Sequence, residues 1–200
     1  MVAYGYYYGG ALAVAGALMA YLLGWPWGVP CFILSAFCFY FFRDPEREVP
    51  AGPVAVSPAD GKVVSIKDQG DGAMRVSIFL NIFDVHVNRS PIAGQIKEVR
   101  YQPGQFLVAS REEASAQNEQ NTLVVEGGGS TVVFKQIAGL IARRIICWKH
   151  AGETVGCGER IGLIKFGSRV DVFFGPEWDI TVRPGERVRA ASSVLARRRA

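Results

Sequence analysis

The chain has 200 residues, half of them hydrophobic, with a net charge of +4 and a pI near 9.0. That is enough apolar material for one buried core plus an extra segment. A basic balance points to nucleic acid or to an anionic membrane surface, but no stripe of Lys and Arg interleaved with aromatics marks a nucleic-acid groove. The four cysteines, Cys31, Cys38, Cys147 and Cys157, form no Cys-x-x-Cys pair and do not match a zinc site. They read as reduced thiols, and no metal is expected.

Charge is almost absent from the first forty-odd residues. Residues 9–23 are continuously apolar or small, residues 24–30 form a Gly- and Pro-rich turn carrying Trp25 and Trp27, and residues 31–42 are apolar again before Arg43-Asp44-Pro45-Glu46-Arg47. Each run is shorter than the roughly 20 residues of a straight spanning helix. The two tryptophans suit an interfacial belt, and Arg43 and Arg47 would hold the exit on the cytoplasmic side. Two readings of this hairpin stand: two tight spans, or a re-entrant dip into one leaflet. Residues 1–42 contain no Lys or Arg, which argues against a signal peptide. The expected organisation is a membrane hairpin anchor over residues 1–43 and a second domain over residues 44–200.

From Val54 onward the chain alternates short β-branched runs with Gly and Pro turns, the pattern of a sandwich or barrel. Strands are predicted at 61–67, 75–80, 85–88, 94–101, 121–126, 131–137, 145–147, 160–164, 169–174 and 187–190. Residues 111–120 read as a polar loop or short helical turn, and Arg197-Arg198-Arg199 as a solvated basic end. Ser57–Val64 resembles the opening of a biotinyl/lipoyl-type module, and Val155–Ile164 its second strand-turn-strand. Pro184-Gly185-Glu186-Arg187-Val188 repeats the Gly-Glu-Arg turn of the latter. The expected fold is mainly β, a lipoyl-like sandwich hybrid with added strands.

The pair Gly167-Ser168 carries the sharpest chemical expectation. A Gly-Ser pair usually means a turn, and Gly129-Ser130 is a second copy. Gly167-Ser168, however, lies between two apolar strand candidates, where a flexible loop is out of place. A serine hydroxyl can attack the preceding carbonyl and exchange the amide for an ester. Glycine at that carbonyl offers no side chain to block attack and tolerates a strained backbone. β-Elimination then leaves dehydroalanine, whose imine tautomer hydrolyses to a pyruvoyl group and ammonia. Such a ketone can form a Schiff base without PLP. His86 and Asp60 are the candidate proton-handling residues. Of the two histidines, His150 reads as a plain structural one, and Asp60 in Asp60-Gly61 also fits an ordinary turn. Spacing alone does not bring Asp60, His86 and Ser168 together.

Several stretches together resemble the phosphatidylserine decarboxylases in their short bacterial and archaeal form. They are Phe41–Pro45, Ser57–Lys62, Phe83–Arg89, Gln136–Gly139 with Ala142–Ile145, and Gly158–Arg169. The resemblance covers about residue 40 to the end, and the anchor in outline. It implies autocatalytic conversion of a proenzyme into a β chain, 1–167, and a pyruvoyl-bearing α chain, 168–200, held as a heterodimer. It implies an Asp-His-Ser relay on Asp60, His86 and Ser168, and a substrate, phosphatidylserine, reached in the bilayer from the cytoplasmic face of the cell membrane. The product would be phosphatidylethanolamine. Arg89 is the candidate partner of the lipid phosphate, and a higher homo-oligomer stays open. Long bacterial members carry Leu-Gly-Ser-Thr at the cut and a second histidine before the catalytic one. Here the cut reads Phe166-Gly167-Ser168-Arg169, and Phe83 replaces that histidine. The rivals are a non-enzymatic lipoyl-like carrier or adaptor, which needs a lysine such as Lys165 exposed at a hairpin tip, and a pyruvoyl decarboxylase of a soluble amino acid.

Overall fold

The computed structural model describes residues 1–105, 117–139, 144–165 and 168–199. The chain divides into two compact units, Met1–Glu46 and Arg47–Ala200.

The first unit is a helical hairpin, α1 (Ala3–Leu23) and α2 (Trp25–Phe41). The break between them is Gly24 alone, in a left-handed conformation at φ 99°. The Gly- and Pro-rich stretch expected as a turn is therefore helical. Pro26 sits in the first turn of α2, where a helix has no use for an N–H. Small residues set the helix spacing. A Cβ on Gly28 would lie 2.5 Å from the Gly16 carbonyl oxygen, and one on Gly9 would lie 2.8 Å from the Phe39 ring. Ser35 Oγ donates to the Gly9 carbonyl at 2.7 Å. Small residues let helices approach closely where apolar burial cannot drive association. Helix α1 is long and apolar enough to cross a membrane, and α2 is a shorter apolar helix. Gly28→Leu is expected to pry the pair apart, seen as slower migration of the full chain on SDS gels with unchanged helix content.

The second unit is β, as the alternation predicts. Among the described residues its largest sheet has eight antiparallel strands, in the order β13 (Arg187–Val188), β2 (Gly61–Gly70), β3 (Ala73–Leu80), β11 (Ser168–Phe174), β7 (Ser130–Ile137), β6 (Gln120–Gly127), β5 (Gly94–Gln102) and β9 (Thr154–Val155). Two three-stranded sheets accompany it: β4 (Val87–Arg89), β10 (Arg160–Ile164) and β8 (Ile145–Cys147), and β1 (Val54–Val56), β14 (Val194–Arg198) and β12 (Trp178–Ile180). The core face of the large sheet carries Val76, Ile78 and Leu80 of β3, Val170, Val172 and Phe174 of β11, Val132 and Phe134 of β7, and Leu123 and Val125 of β6, all buried. These are every second residue, as a pleated strand requires.

The basic C-terminal end is not solvated coil. Leu195 and Ala196 are fully buried, and this drives residues 194–198 into a strand between β1 and β12. The Arg198 guanidinium donates to the carbonyls of Gly128 and Gly129, and Arg199 Nε to Asp179 at 2.8 Å. Of the polar stretch 111–120, residues 111–116 lie outside the described residues; Gln120 already belongs to β6.

The sequence echo at Gly-Glu-Arg is a shared turn. Gly156 N–H donates to Glu159 Oε2 at 2.7 Å and Arg183 N–H to Glu186 Oε2 at 3.1 Å, across glycines 158 and 185 at φ 74° and 94°. His150 to Glu153 is a third copy, with His150 N–H donating to Glu153 Oε1 at 2.8 Å and Gly152 at φ 93°. Hydrogen bonding from Lys149 and then from the Gly156 amide holds the Glu159 carboxyl below its usual range, and bonding from His150 does so for Glu153.

Candidate active site

Ser168 is the first residue of β11, opposite Leu80 of β3. It lies on the same side of the strand as Val170 and Val172, so its hydroxyl belongs to the core face. It is fully buried, and its Oγ has no hydrogen-bond partner. A buried hydroxyl left in that state is uncommon and calls for an explanation. Gly167, the other half of the expected cleavage pair, lies outside the described residues, as do Phe166, Ala142 and Arg143.

His86 is 2 % exposed and immediately precedes β4. Its carbonyl accepts from Ile164 N–H at 3.3 Å, which places it beside the strand that runs into the Ser168 segment. Its Nδ1 is 2.9 Å from the Asp84 carbonyl oxygen. A carbonyl can only accept, so Nδ1 is the nitrogen that carries the proton whenever the ring is neutral. Nε2 then carries the lone pair, the tautomer a general base needs.

Asp60 immediately precedes β2, at the same end of the sheet. Lys62 pairs with Phe79 and Phe79 with Arg169, so the starts of β2 and β11 flank the end of β3. Arg89 N–H donates to the Pro58 carbonyl at 2.9 Å, which ties the segment before Asp60 to the strand after His86. The Asp60 carboxylate accepts from Arg47 Nη2 at 2.8 and 3.1 Å and from Ala190 N–H at 2.8 Å. Gly61 is required beside it, because a Cβ there would collide with the Phe79 carbonyl. Backbone pairing thus brings the segments that carry Asp60, His86 and Ser168 towards one end of β3, with the Asp60 carboxylate bonded to Arg47 and Ala190 and His86 Nδ1 to the Asp84 carbonyl. Arg89 is 6 % exposed, and its Nη1 donates to the Gly158 carbonyl at 3.1 Å.

Two groups of polar residues at this end were not singled out by sequence. On the core face, Asn121 Nδ2 donates to Gln136 Oε1 at 3.0 Å, and Gln136 Nε2 donates to Asn88 Oδ1 at 2.9 Å. On the opposite face of β11, Arg169 Nε donates to Asp171 Oδ1 at 2.6 Å and Arg169 Nη2 to Ser77 Oγ at 2.7 Å; Arg75 lies 3.9 Å from Asp171. Arg169 and Asp171 are 1 % and 0 % exposed. Ser168 is therefore followed at once by a buried ion pair that locks β11 onto β3.

Other nucleophiles fit poorly. All four cysteines are free, and burial pushes the Cys147 and Cys157 thiols up, away from thiolate. Lys165 is 9 % exposed, and its N–H donates to the Arg144 carbonyl at 3.2 Å. A carrier lysine has to swing free at a hairpin tip, so this one does not serve the carrier reading.

The chain matches the family model described as Phosphatidylserine decarboxylase over residues 34–196. It is 65% identical over 198 residues to a phosphatidylserine decarboxylase proenzyme of Solibacter usitatus (strain Ellin6076), covering 99% of this chain and 97% of that protein. Proteins of the same description from Nitrosomonas europaea and Burkholderia vietnamiensis (strain G4 / LMG 22486) are 46% and 44% identical, each over 194 residues. These matches cover 94% and 93% of this chain, and 89% and 91% of the two proteins. The aligned regions span nearly the whole chain, and with the family model they leave one conclusion: this chain belongs to the phosphatidylserine decarboxylase family.

Proposed function

We propose that the chain cuts itself between Gly167 and Ser168, converts Ser168 into a pyruvoyl group, and then decarboxylates phosphatidylserine to phosphatidylethanolamine. The observation that carries this reading is the Ser168 hydroxyl: buried, unpartnered and at the first residue of a strand. A resting structural serine would spend that group on a hydrogen bond. A nucleophile aimed at its own backbone has reason to keep it unspent.

His86 Nε2 takes the proton from Ser168 Oγ as the oxygen attacks the Gly167 carbonyl, and the amide becomes an ester. Asp60 balances the positive charge that His86 acquires. Elimination of the ester releases residues 1–167, now ending in the Gly167 carboxylate, as the β chain and leaves dehydroalanine at the start of residues 168–200; water adds to its imine tautomer, and loss of ammonia leaves the ketone. The ketone supplies an imine-forming carbonyl for the lipid amine and a sink for the electrons left behind by carbon dioxide. His86 returns a proton to the substrate carbon. Arg89 pairs with the lipid phosphate in this reading, which requires it to leave Gly158. The two chains remain together through the ladders of β11 with β3 and β7. Helix α1 keeps the β unit at the cytoplasmic face of the cell membrane, where the substrate already lies.

Intact-mass analysis of the purified wild type tests this directly. Two chains should appear, split at 167/168, with the small one blocked to N-terminal sequencing. Phosphatidylserine in detergent micelles should release carbon dioxide, and free serine should not. A single full-length chain, or an α chain that begins with free serine, overturns the reading.

A further inference from the structure

The amide relay Asn121–Gln136–Asn88 takes no part in self-cleavage, yet it ends on an unspent donor. Gln136 uses its oxygen for Asn121 and its nitrogen for Asn88. The row runs in one sense, each amide donating to the next. The Asn88 oxygen is occupied, so its NH2 group is turned away from Gln136. Asn88 is fully buried, and its Nδ2 has no hydrogen-bond partner. A buried donor in that condition is costly and points to a missing acceptor.

The place of the relay identifies the acceptor. Gln136 pairs with Val170, and Asn121 with Gln136. Asn121 and Gln136 share the core face with Ser168, which lies two positions along β11 from Val170, or about 7 Å, and Asn88, on β4 of a smaller sheet, is bonded to Gln136. Asn88 also follows His86 by two residues. Thus two buried, unpartnered polar groups, Ser168 Oγ and Asn88 Nδ2, are linked through Gln136 and its strand partner Val170.

We infer that Asn88 Nδ2 is the donor that holds the headgroup carboxylate of phosphatidylserine, an inference that rests on the function proposed above. In the substrate the carboxylate carbon is two bonds from the amine that must reach residue 168, whereas the phosphorus is four bonds away. A group buried beside residue 168 therefore meets the carboxylate. The chemistry of the donor also fits. The carboxylate loses its charge as it becomes carbon dioxide, so a cation there would stabilise the ground state more than the transition state. A neutral amide orients the group without that penalty, and the relay behind it keeps the amide from turning. Asn88 is on this argument a specificity-determining residue: it distinguishes a serine headgroup from an ethanolamine one.

Binding measured without turnover tests it. The processed protein is reduced with borohydride, which removes the reactive ketone, and short-chain phosphatidylserine and phosphatidylethanolamine in detergent micelles are titrated separately. Asn88→Ala should weaken phosphatidylserine binding by ~10-fold or more, because hydrogen bonds to a charged group are the strong class. Binding of phosphatidylethanolamine, which lacks the carboxylate, should stay within about twofold. Asn88→Asp keeps the volume and replaces the donor with a like charge, so its selective loss should be larger. Equal effects on both lipids, no effect on either, or failure of both variants to fold would assign Asn88 to packing and overturn the inference. An uncut wild type would instead remove the underlying function, so the two failures are separable.

Discussion

Replacing Ser168 with alanine leaves one uncut chain of 200 residues that releases no carbon dioxide from phosphatidylserine. The substitution removes a single oxygen that has no hydrogen-bond partner and is wholly buried. Deleting an unpaired buried hydroxyl relieves a desolvation cost, so the folded state should be no less stable and could gain up to ~1 kcal/mol. A melting temperature equal to or above that of the wild type is expected, with the same β-sheet signal, because the variant also keeps the covalent link at 167/168 that the processed wild type has lost. The loss of processing is then chemical: alanine has no atom to attack the Gly167 carbonyl, and without attack there is neither a second chain nor a ketone. The comparison needs a gel, an intact mass and a carbon dioxide assay on the same preparation. A folded Ser168→Ala protein that still splits, or that still decarboxylates the lipid, would remove Ser168 from the mechanism.

Much of the architecture was legible because it rests on local rules. The alternation of Val132, Phe134 and Gln136, or of Val170, Val172 and Phe174, marks strands before any tertiary contact is known. The Gly-Glu turns could be recognised from two copies, and only the bond from Glu153 back to His150 adds the third. The polar residues on the core face were harder. Alternation treats a buried position as apolar, so Asn121 and Gln136 looked like strand residues without a task until their bonds to each other and to Asn88 were seen. Strand β14 escaped for a related reason. Its arginines suggest a solvated tail, and the burial of Leu195 and Ala196 between two other strands is a tertiary fact. Arg47, read as a membrane-flanking charge, is bonded to Asp60, a partner that spacing does not reveal. In each case the residue type was read correctly, but its partner lies far away in sequence.

Removing the Asp171 carboxylate should cost far more than removing the Ser168 hydroxyl. Asp171 lies at the centre of β11, paired with Ser77 on one side and Lys135 on the other. Its side chain is fully buried, 2.6 Å from Arg169 Nε, with Arg75 at 3.9 Å. Asp171→Ala leaves the Arg169 guanidinium buried without its carboxylate, and breaking a buried pair in this way typically costs about 3–5 kcal/mol. Total stabilities run near 5–15 kcal/mol, so a large share of the margin would go. The melting temperature should fall by roughly 10 °C, given about 2–4 °C per kcal/mol in a unit of this size. Asp171→Asn, which keeps shape and one acceptor, should lose less. Replacing both partners, Arg169→Leu with Asp171→Leu, should be less harmful than Asp171→Ala alone, because the Arg169 guanidinium is then no longer buried without its carboxylate. Thermal melts of the full chain in detergent decide this. If the double variant is as unstable as the sum of the two single ones, the pair is not coupled. The same strand carries residue 168, so the Asp171→Ala chain should also mature slowly, seen as uncut chain persisting on a gel. Charge on the hidden face of β11 thus holds in register the serine that the proposed chemistry would consume on the other face.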